Sequence, residues 1–182
     1  MTDLYLPAEE RREILRAYGH IHELGTFIET GTSDGGTTWA LREEFQFMHT
    51  IEVDPYLYKQ ACDRFAPFLN ITCWHGDSGK LLPEILEWVV ADAALVWLDG
   101  HWCAPGHNPN GPDSPIQGEL AALFADGRPH IILIDDARLF REGLDWESEK
   151  YDWPSLTWVQ EVAQIHGYGY ELKDDIIRLV PR

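Results

Sequence analysis

Residues 26–38 read TFIETGTSDGGTT, and this stretch decides the fold. Thr26-Phe27-Ile28-Glu29-Thr30 is rich in β-branched and aromatic residues, and it reads as a strand. It runs into Gly31-Thr32-Ser33-Asp34-Gly35-Gly36. Glycines permit a tight turn and let a ligand come close to the backbone. Thr37 to Phe45 then reads as a helix. The pattern is E-x-G-x-x-x-G between a strand and a helix, so N–H groups and positive potential at the helix start face the turn. It is not the G-x-G-x-x-G turn of dinucleotide binders, because Thr32 and Ser33 intervene. Its spacing suits a cofactor without a pyrophosphate, although a plain strand-to-helix turn would read the same.

The same alternation continues on both sides. Upstream, Pro7 opens a helix, with Glu9 and Glu10 in its first turn and Gly19 as its stop. Downstream, Phe47 to Val53 is a second strand. Asp54 caps the next helix and Pro55 takes its first position. Asn70 to His75 is a third strand. The helix after it gathers Leu81, Leu82, Ile85, Leu86 and Val89 on one face. Ala93 to Leu98 is a continuous apolar run, as expected of a strand buried on both faces, and His130 to Ile134 is a second fully buried strand. Between them Ile116, Leu120, Leu123 and Phe124 mark a helix. Leu156, Val159, Val162 and Ala163 mark the last one. Tyr168 to Leu172 and Ile176 to Val180, joined through Lys173-Asp174-Asp175, close the chain as a hairpin.

Repeated βα units imply an α/β fold: a mostly parallel sheet with helices on both faces and a C-terminal antiparallel β-hairpin. The 182 residues suit one domain spanning 1–182. Residues 1–24 form its N-terminal helical segment, and residues 100–115 and 138–153 are candidate lid loops. In such sheets ligands bind beyond the carboxyl ends of the strands. The candidate chemistry therefore lies at those ends.

Composition narrows the field. Thirty-one acidic residues face 14 basic ones, for a net charge of −17. That balance repels phosphate backbones and argues against a nucleic-acid partner. No apolar run approaches the roughly 20 residues of a membrane span, and the N-terminus lacks a secretory signal. A cytoplasmic protein acting on a small molecule is expected, with a homodimer left open. Cys62, Cys73 and Cys103 are odd in number and contain no C-x-x-C pair, so a disulfide framework is not expected.

The second strand ends in Thr50-Ile51-Glu52-Val53-Asp54, where an acidic group can accept both ribose hydroxyls of an adenosine. Asp54 has a capping job, which favours Glu52. The third ends in Gly76-Asp77-Ser78. Asp77 could accept from an adenine amino group with help from Ser78, or serve as an ordinary cap. The fourth ends in Asp99-Gly100-His101-Trp102 and the fifth in Asp135-Asp136-Ala137-Arg138. Asp99, Asp135 and Asp136 are expected to converge and to repel one another unless a cation or protons intervene. Hard oxygen ligands of this kind suit Mg²⁺ or another divalent cation. Asp99 and His101 are the catalytic candidates, with His101 as the general base.

With these residues placed, the chain resembles class I S-adenosylmethionine-dependent methyltransferases from Thr26 to Val180. The resemblance implies a Rossmann-like doubly wound sheet and S-adenosylmethionine as cofactor. It implies cofactor roles for Glu29, Gly31, Thr32, Ser33, Gly35, Thr37, Glu52, Asp77, Ser78 and Asp99. Asp99-Gly100-His101 and Asp135-Asp136 are similar to the strand ends of small bacterial proteins of the methyltransferase-24 kind. They are also similar to the metal-holding carboxylates of catechol O-methyltransferase-like enzymes, which implies metal roles for Asp99, Asp135 and Asp136. Those enzymes carry a lysine base three residues beyond the first aspartate, where this chain has Trp102. The expected activity is methyl transfer to a small acceptor, most readily a hydroxyl. The alternatives are metal-assisted transfer, transfer by His101 without metal, and a cofactor-binding protein without catalysis. A nicotinamide dehydrogenase is disfavoured by the glycine spacing.

Overall fold

The computed structural model describes residues 6–102, 108–109, 113–140 and 153–182. Seven strands form one sheet in the order β3-β2-β1-β4-β5-β7-β6. They are β1 (Thr26–Thr30), β2 (Phe47–Glu52), β3 (Ile71–His75), β4 (Leu95–Leu98), β5 (Ile131–Ile134), β6 (Tyr168–Lys173) and β7 (Ile176–Pro181). The first five run parallel, and β7 pairs antiparallel with both β5 and β6. The sheet is therefore the mostly parallel one expected, with the hairpin on one edge.

The two short apolar strands explain why the sheet is covered on both faces. Leu95 and Trp97 of β4 point into one cluster, with Phe27, Met48, Ile131 and Leu133. Val96 and Leu98 point into the other, with Ile28, Ile51, Ile132 and Ile134. Side chains alternate across a strand, so a run apolar at every position requires two covers. Helices α1 (Ala8–Ile21) and α2 (Gly36–Leu41) supply Leu15 and Leu41 to the first cluster. Helices α4 (Ser78–Trp88), α5 (Ile116–Asp126) and α6 (Leu156–Ile165) line the second. Helix α3 (Pro55–Phe65) packs beside β2 and β3. Trp97 is 1% exposed. Burying such a side chain stabilises the fold by about 3 kcal/mol.

Several boundaries differ from the sequence reading. Helix α1 does not stop at Gly19 but runs to Ile21. Gly19 is buried against the Phe45 ring, where a side chain would collide. Its smallness serves packing rather than termination. Helix α2 ends at Leu41, short of the expected Phe45, because Phe45 turns inward to stack on Phe27 at 5.1 Å. Asp54 caps α3 as expected, accepting the N–H groups of Tyr56 and Leu57 at 2.8 and 2.9 Å. Among the described residues, no helix is long and apolar enough to cross a membrane.

The order of the strands fixes where a site can form. The crossover after β1 leads outward to β2 and β3, and the chain then returns to β4 on the other side of β1. Crevices open at such a reversal, beyond the carboxyl ends of the strands. Here that place lies between the Gly31 turn and the Asp99 turn.

Candidate active site

Two turns meet at the reversal point. Gly31 has φ +78°, and its N–H and that of Thr32 both bond to the Ile51 carbonyl, at 2.9 and 3.1 Å. A Cβ on Gly31 would lie 2.3 Å from the Asp99 carbonyl oxygen. Only glycine lets the β1 and β4 turns approach this closely. Ser33, at φ 49°, continues the left-handed bend. Gly35, at φ +73°, ends it as the cap of α2. Asp34 takes the Gly36 N–H at 2.9 Å, so the chain itself satisfies one of the donors at the start of α2.

Glu52 stands at the centre of the adjoining wall. It is 6% exposed, and its two oxygens take the N–H groups of Ser33 and Asp54, at 2.8 and 2.9 Å. A carboxylate offers about four lone-pair positions, so each oxygen keeps acceptor capacity for a hydroxyl. Glu29 lies deeper than the bend. Its Oε2 accepts from Thr38 at 2.5 Å and Thr50 at 2.8 Å, and Thr37 also bonds to it. Thr32 joins this layer through a 2.6 Å contact with Thr50. Glu29 therefore braces the turn from beneath. Thr38 and Thr50, which the motif reading did not single out, are what hold it there.

Asp77 caps α4 through the Gly79 N–H at 3.1 Å, and its other oxygen meets Lys80 at 2.9 Å. Ser78 departs from the adenine role expected of it. Its hydroxyl turns inward and donates to Glu119 of α5 at 2.6 Å. Glu119 is 1% exposed, and Thr30 bonds to it as well. Nothing in the sequence marked Glu119, since a lone acid on an apolar helix reads as a solvated position.

Burial pushes both Glu29 and Glu119 up to about 7. Each therefore holds its proton in the fold at a pH where the unfolded chain has lost it. The folded state binds more protons between the ordinary glutamate range and about 7, so stability falls as pH rises through that window. Urea midpoints at pH 5 and pH 8 check this. Glu119→Gln, which has no proton to lose, should flatten the fall, and an equally steep fall in that variant would exclude Glu119 as a source.

At the ends of β4 and β5 the three aspartates do gather, and protein cations meet them. Arg11 of α1 pairs with Asp135. Arg138 pairs with Asp136 at 2.5 Å. His101 Nε2 lies 2.7 Å from Asp136 and 3.9 Å from Asp99. Burial and the charge of Asp135 raise the pKa of Asp99. Burial and the charge of Asp136 raise that of Asp135 to about 6, against the pull of Arg11. Asp136 moves the other way. Burial would raise it, but His101 and Arg138 outweigh that and leave it ionised.

This arrangement bears on two expectations. Asp99, Asp135 and Asp136 do not form a metal-ligand set: among the described residues no group of three potential ligands is arranged to hold a metal ion. Two of the three carboxylates are already committed to Arg11, Arg138 and His101. His101 also differs from a ready base. Burial lowers its pKa, but the hydrogen bond to Asp136 and the charges of Asp99, Asp136 and Asp135 raise it further, so the net movement is upward. A protonated ring donates its Nε2–H to Asp136. The ring lies 4.9 Å from that of Trp153 and lines a small cleft with Leu98, Ile134 and Phe140. Cys103, half of the first candidate lid and most of the second lie outside the described residues.

No family model matches the chain, and no curated protein matches it in sequence. Solved structures match it in fold. The methyltransferase domain of bacterial CtHen1 is 16% identical, with 94% of this chain and 98% of that one covered and a TM-score of 0.60. The S-adenosylhomocysteine-bound methyltransferase PaMTH1 of Podospora anserina is 12% identical, covering 97% and 80% at a TM-score of 0.61. The N-methyltransferase NodS of Bradyrhizobium japonicum is 15% identical, covering 96% of each chain at 0.56. The chain has the Rossmann-like fold of these methyltransferases, and its own sheet carries an antiparallel hairpin at one edge.

Proposed function

We propose that this protein is an S-adenosylmethionine-dependent methyltransferase acting on a small-molecule acceptor. The observation that carries the reading is the Gly31–Gly35 bend tied to the Glu52 carboxylate at the reversal point of the sheet. Glu52 has acceptor capacity for two ribose hydroxyls, and Asp77 stands at the next strand end for the base. Asp99, one-third exposed beside the Gly31 turn, would take the ammonium of the methionine tail, whose positive charge favours the ionised carboxylate. Methyltransferases solved with S-adenosylmethionine or its demethylated product, such as TomG of Streptomyces achromogenes, share the fold.

Bound S-adenosylmethionine supplies a methyl carbon made electrophilic by its sulfonium. The chain's task is alignment of an acceptor with that carbon and the sulfur. Leu98, Ile134, Phe140 and Trp153 pack around His101 and give its ring apolar surroundings on that side. Asp136 fixes the His101 ring at 2.7 Å, as an orienting partner fixes an acid–base histidine. A hydroxyl acceptor gives up its proton on methylation, and His101 takes it once its own ring is neutral. Hydroxyl is the preferred acceptor because this pair can move that proton. The test is incubation with S-adenosylmethionine carrying a labelled methyl group against panels of small hydroxyl and amine compounds. Transfer to members of either panel supports the reading. Absence of transfer together with absence of cofactor binding rejects it.

We assign no divalent cation to the reaction, because Arg11, Arg138 and His101 supply the positive charge that the aspartates require. Treatment with a chelator should leave the affinity for S-adenosylhomocysteine and the melting temperature unchanged. A rise in either on adding Mg²⁺ would restore the metal-assisted route.

A further inference from the structure

The C-terminal hairpin reaches the candidate site through its turn. Lys173 of β6 pairs with Ile176 of β7, leaving Asp174 and Asp175 as a two-residue turn. Both have left-handed backbones, at φ 58° and 60°. Turns of this kind favour Asn-Gly or Asp-Gly, so an aspartate in the second position carries a backbone cost. The two carboxylates have different partners. Asp174 accepts from Arg178 at 2.8 Å, within the hairpin itself. Asp175 is 8% exposed and faces the loop after β5.

Asp175 grips that loop at three points. Its carbonyl accepts the Ala137 N–H at 2.8 Å. Its carboxylate accepts the Arg138 N–H at 2.8 Å and also pairs with the Arg138 guanidinium. The same guanidinium donates to Asp136 Oδ1 at 2.5 Å. Asp136, itself at φ 53°, holds His101 on its other oxygen at 2.7 Å. One chain of charged hydrogen bonds thus runs from the hairpin turn through Arg138 and Asp136 to His101. With Arg138 fixed on one oxygen, the Asp136 carboxylate has one orientation in which the second oxygen meets the ring.

We propose that Asp175 is a positioning residue for His101. It fixes the backbone and the side chain of Arg138, Arg138 orients Asp136, and Asp136 sets the imidazole. The relevance to methyl transfer rests on the function proposed above, but the positioning itself is measurable without an acceptor or a cofactor.

The experiment is nuclear magnetic resonance on the full chain with ¹⁵N-labelled histidine, following the ring N–H of His101 assigned by its loss in His101→Gln. The wild-type protein should show a slowly exchanging, downfield ring N–H. Asp175→Ala should lose that signal. Asp175→Asn should retain it, because asparagine accepts the left-handed backbone and still offers an oxygen to the Arg138 N–H. Asp174→Ala should also retain it, since that change carries the same backbone cost but touches Arg178 instead. Retention of the signal in Asp175→Ala overturns the proposal, and so does its loss in Asp174→Ala or its absence from the wild type. Should Asp175→Ala fail to fold, Arg138→Gln replaces it, with loss of the signal expected and retention contradictory. Calorimetry with S-adenosylhomocysteine on the same samples separates the two claims. A wild type that shows the signal but binds no S-adenosylhomocysteine rejects the methyltransferase reading and leaves the positioning intact.

Discussion

Glu52→Ala should weaken the binding of S-adenosylmethionine and S-adenosylhomocysteine by roughly 1.5–3 kcal/mol, or about ten- to a hundredfold in Kd. Hydrogen bonds to a charged acceptor are the strong ones, and this carboxylate is 6% exposed, where water does little to weaken them. The truncation acts twice. It removes the acceptors proposed for the ribose, and it releases the N–H groups of Ser33 and Asp54 that Glu52 now holds at 2.8 and 2.9 Å. Ser33 sits in a left-handed conformation at φ 49°, so freeing it loosens the bend as well. Glu52→Gln separates the two effects. It keeps one oxygen for a backbone donor but lacks the charge, and its loss should fall between wild type and alanine. Calorimetric titration of the three proteins measures the series. Equal affinities across it would remove Glu52 from the cofactor site.

Gly31→Ala should be the most damaging single change, costing roughly 2–5 kcal/mol of stability. Two penalties combine. A left-handed backbone costs a residue with a Cβ about 1–2 kcal/mol, and forcing atoms into a packed position costs about 1–3 kcal/mol more. Here φ is +78°, and the added carbon would meet the Asp99 carbonyl oxygen at 2.3 Å and the Gly100 Cα at 2.8 Å. These contacts are backbone, which cannot swing aside as a flexible side chain could. The β1 and β4 turns would separate, and the proposed cofactor site with them. Denaturant melts should show the loss, and binding of S-adenosylhomocysteine should fall even where the variant folds. A variant as stable as the wild type would mean that the two turns do not meet as described.

Much of the sheet is written in local pattern. Leu95–Leu98 and Ile131–Ile134 are apolar at every position, which requires helices on both sides and places these strands centrally. The glycines after β1 announce a turn that other residues could not make. The Asp54-Pro55 start of α3 is read from two residues alone. Helix α2 is less legible, because nothing local says that Phe45 leaves the helix to stack on Phe27.

The candidate site was legible only where its residues stand in the motif. The Glu52 bond to Ser33 follows from strand neighbours, since β1 and β2 pair in register. The charges that neutralise the aspartates come from elsewhere. Arg11 reaches Asp135 across 124 residues of chain, and Asp175 reaches Arg138 across 37. No spacing rule connects such pairs; they meet because α1 packs over β4 and the hairpin pairs with the neighbouring β5. The three converging carboxylates therefore suggested a metal, whereas the folded chain brings its own arginines and histidine. Ser78 misleads for the same reason: its partner Glu119 lies on another helix, 41 residues on.

The most direct test is calorimetric titration of the purified protein with S-adenosylhomocysteine in the presence of a chelator. The expected result is saturable binding of one molecule per chain, without added metal and weakened in Glu52→Ala. No heat of binding at millimolar ligand, for the product and for S-adenosylmethionine alike, would contradict the assignment of the Gly31 bend and Glu52 to a methyl-donor site.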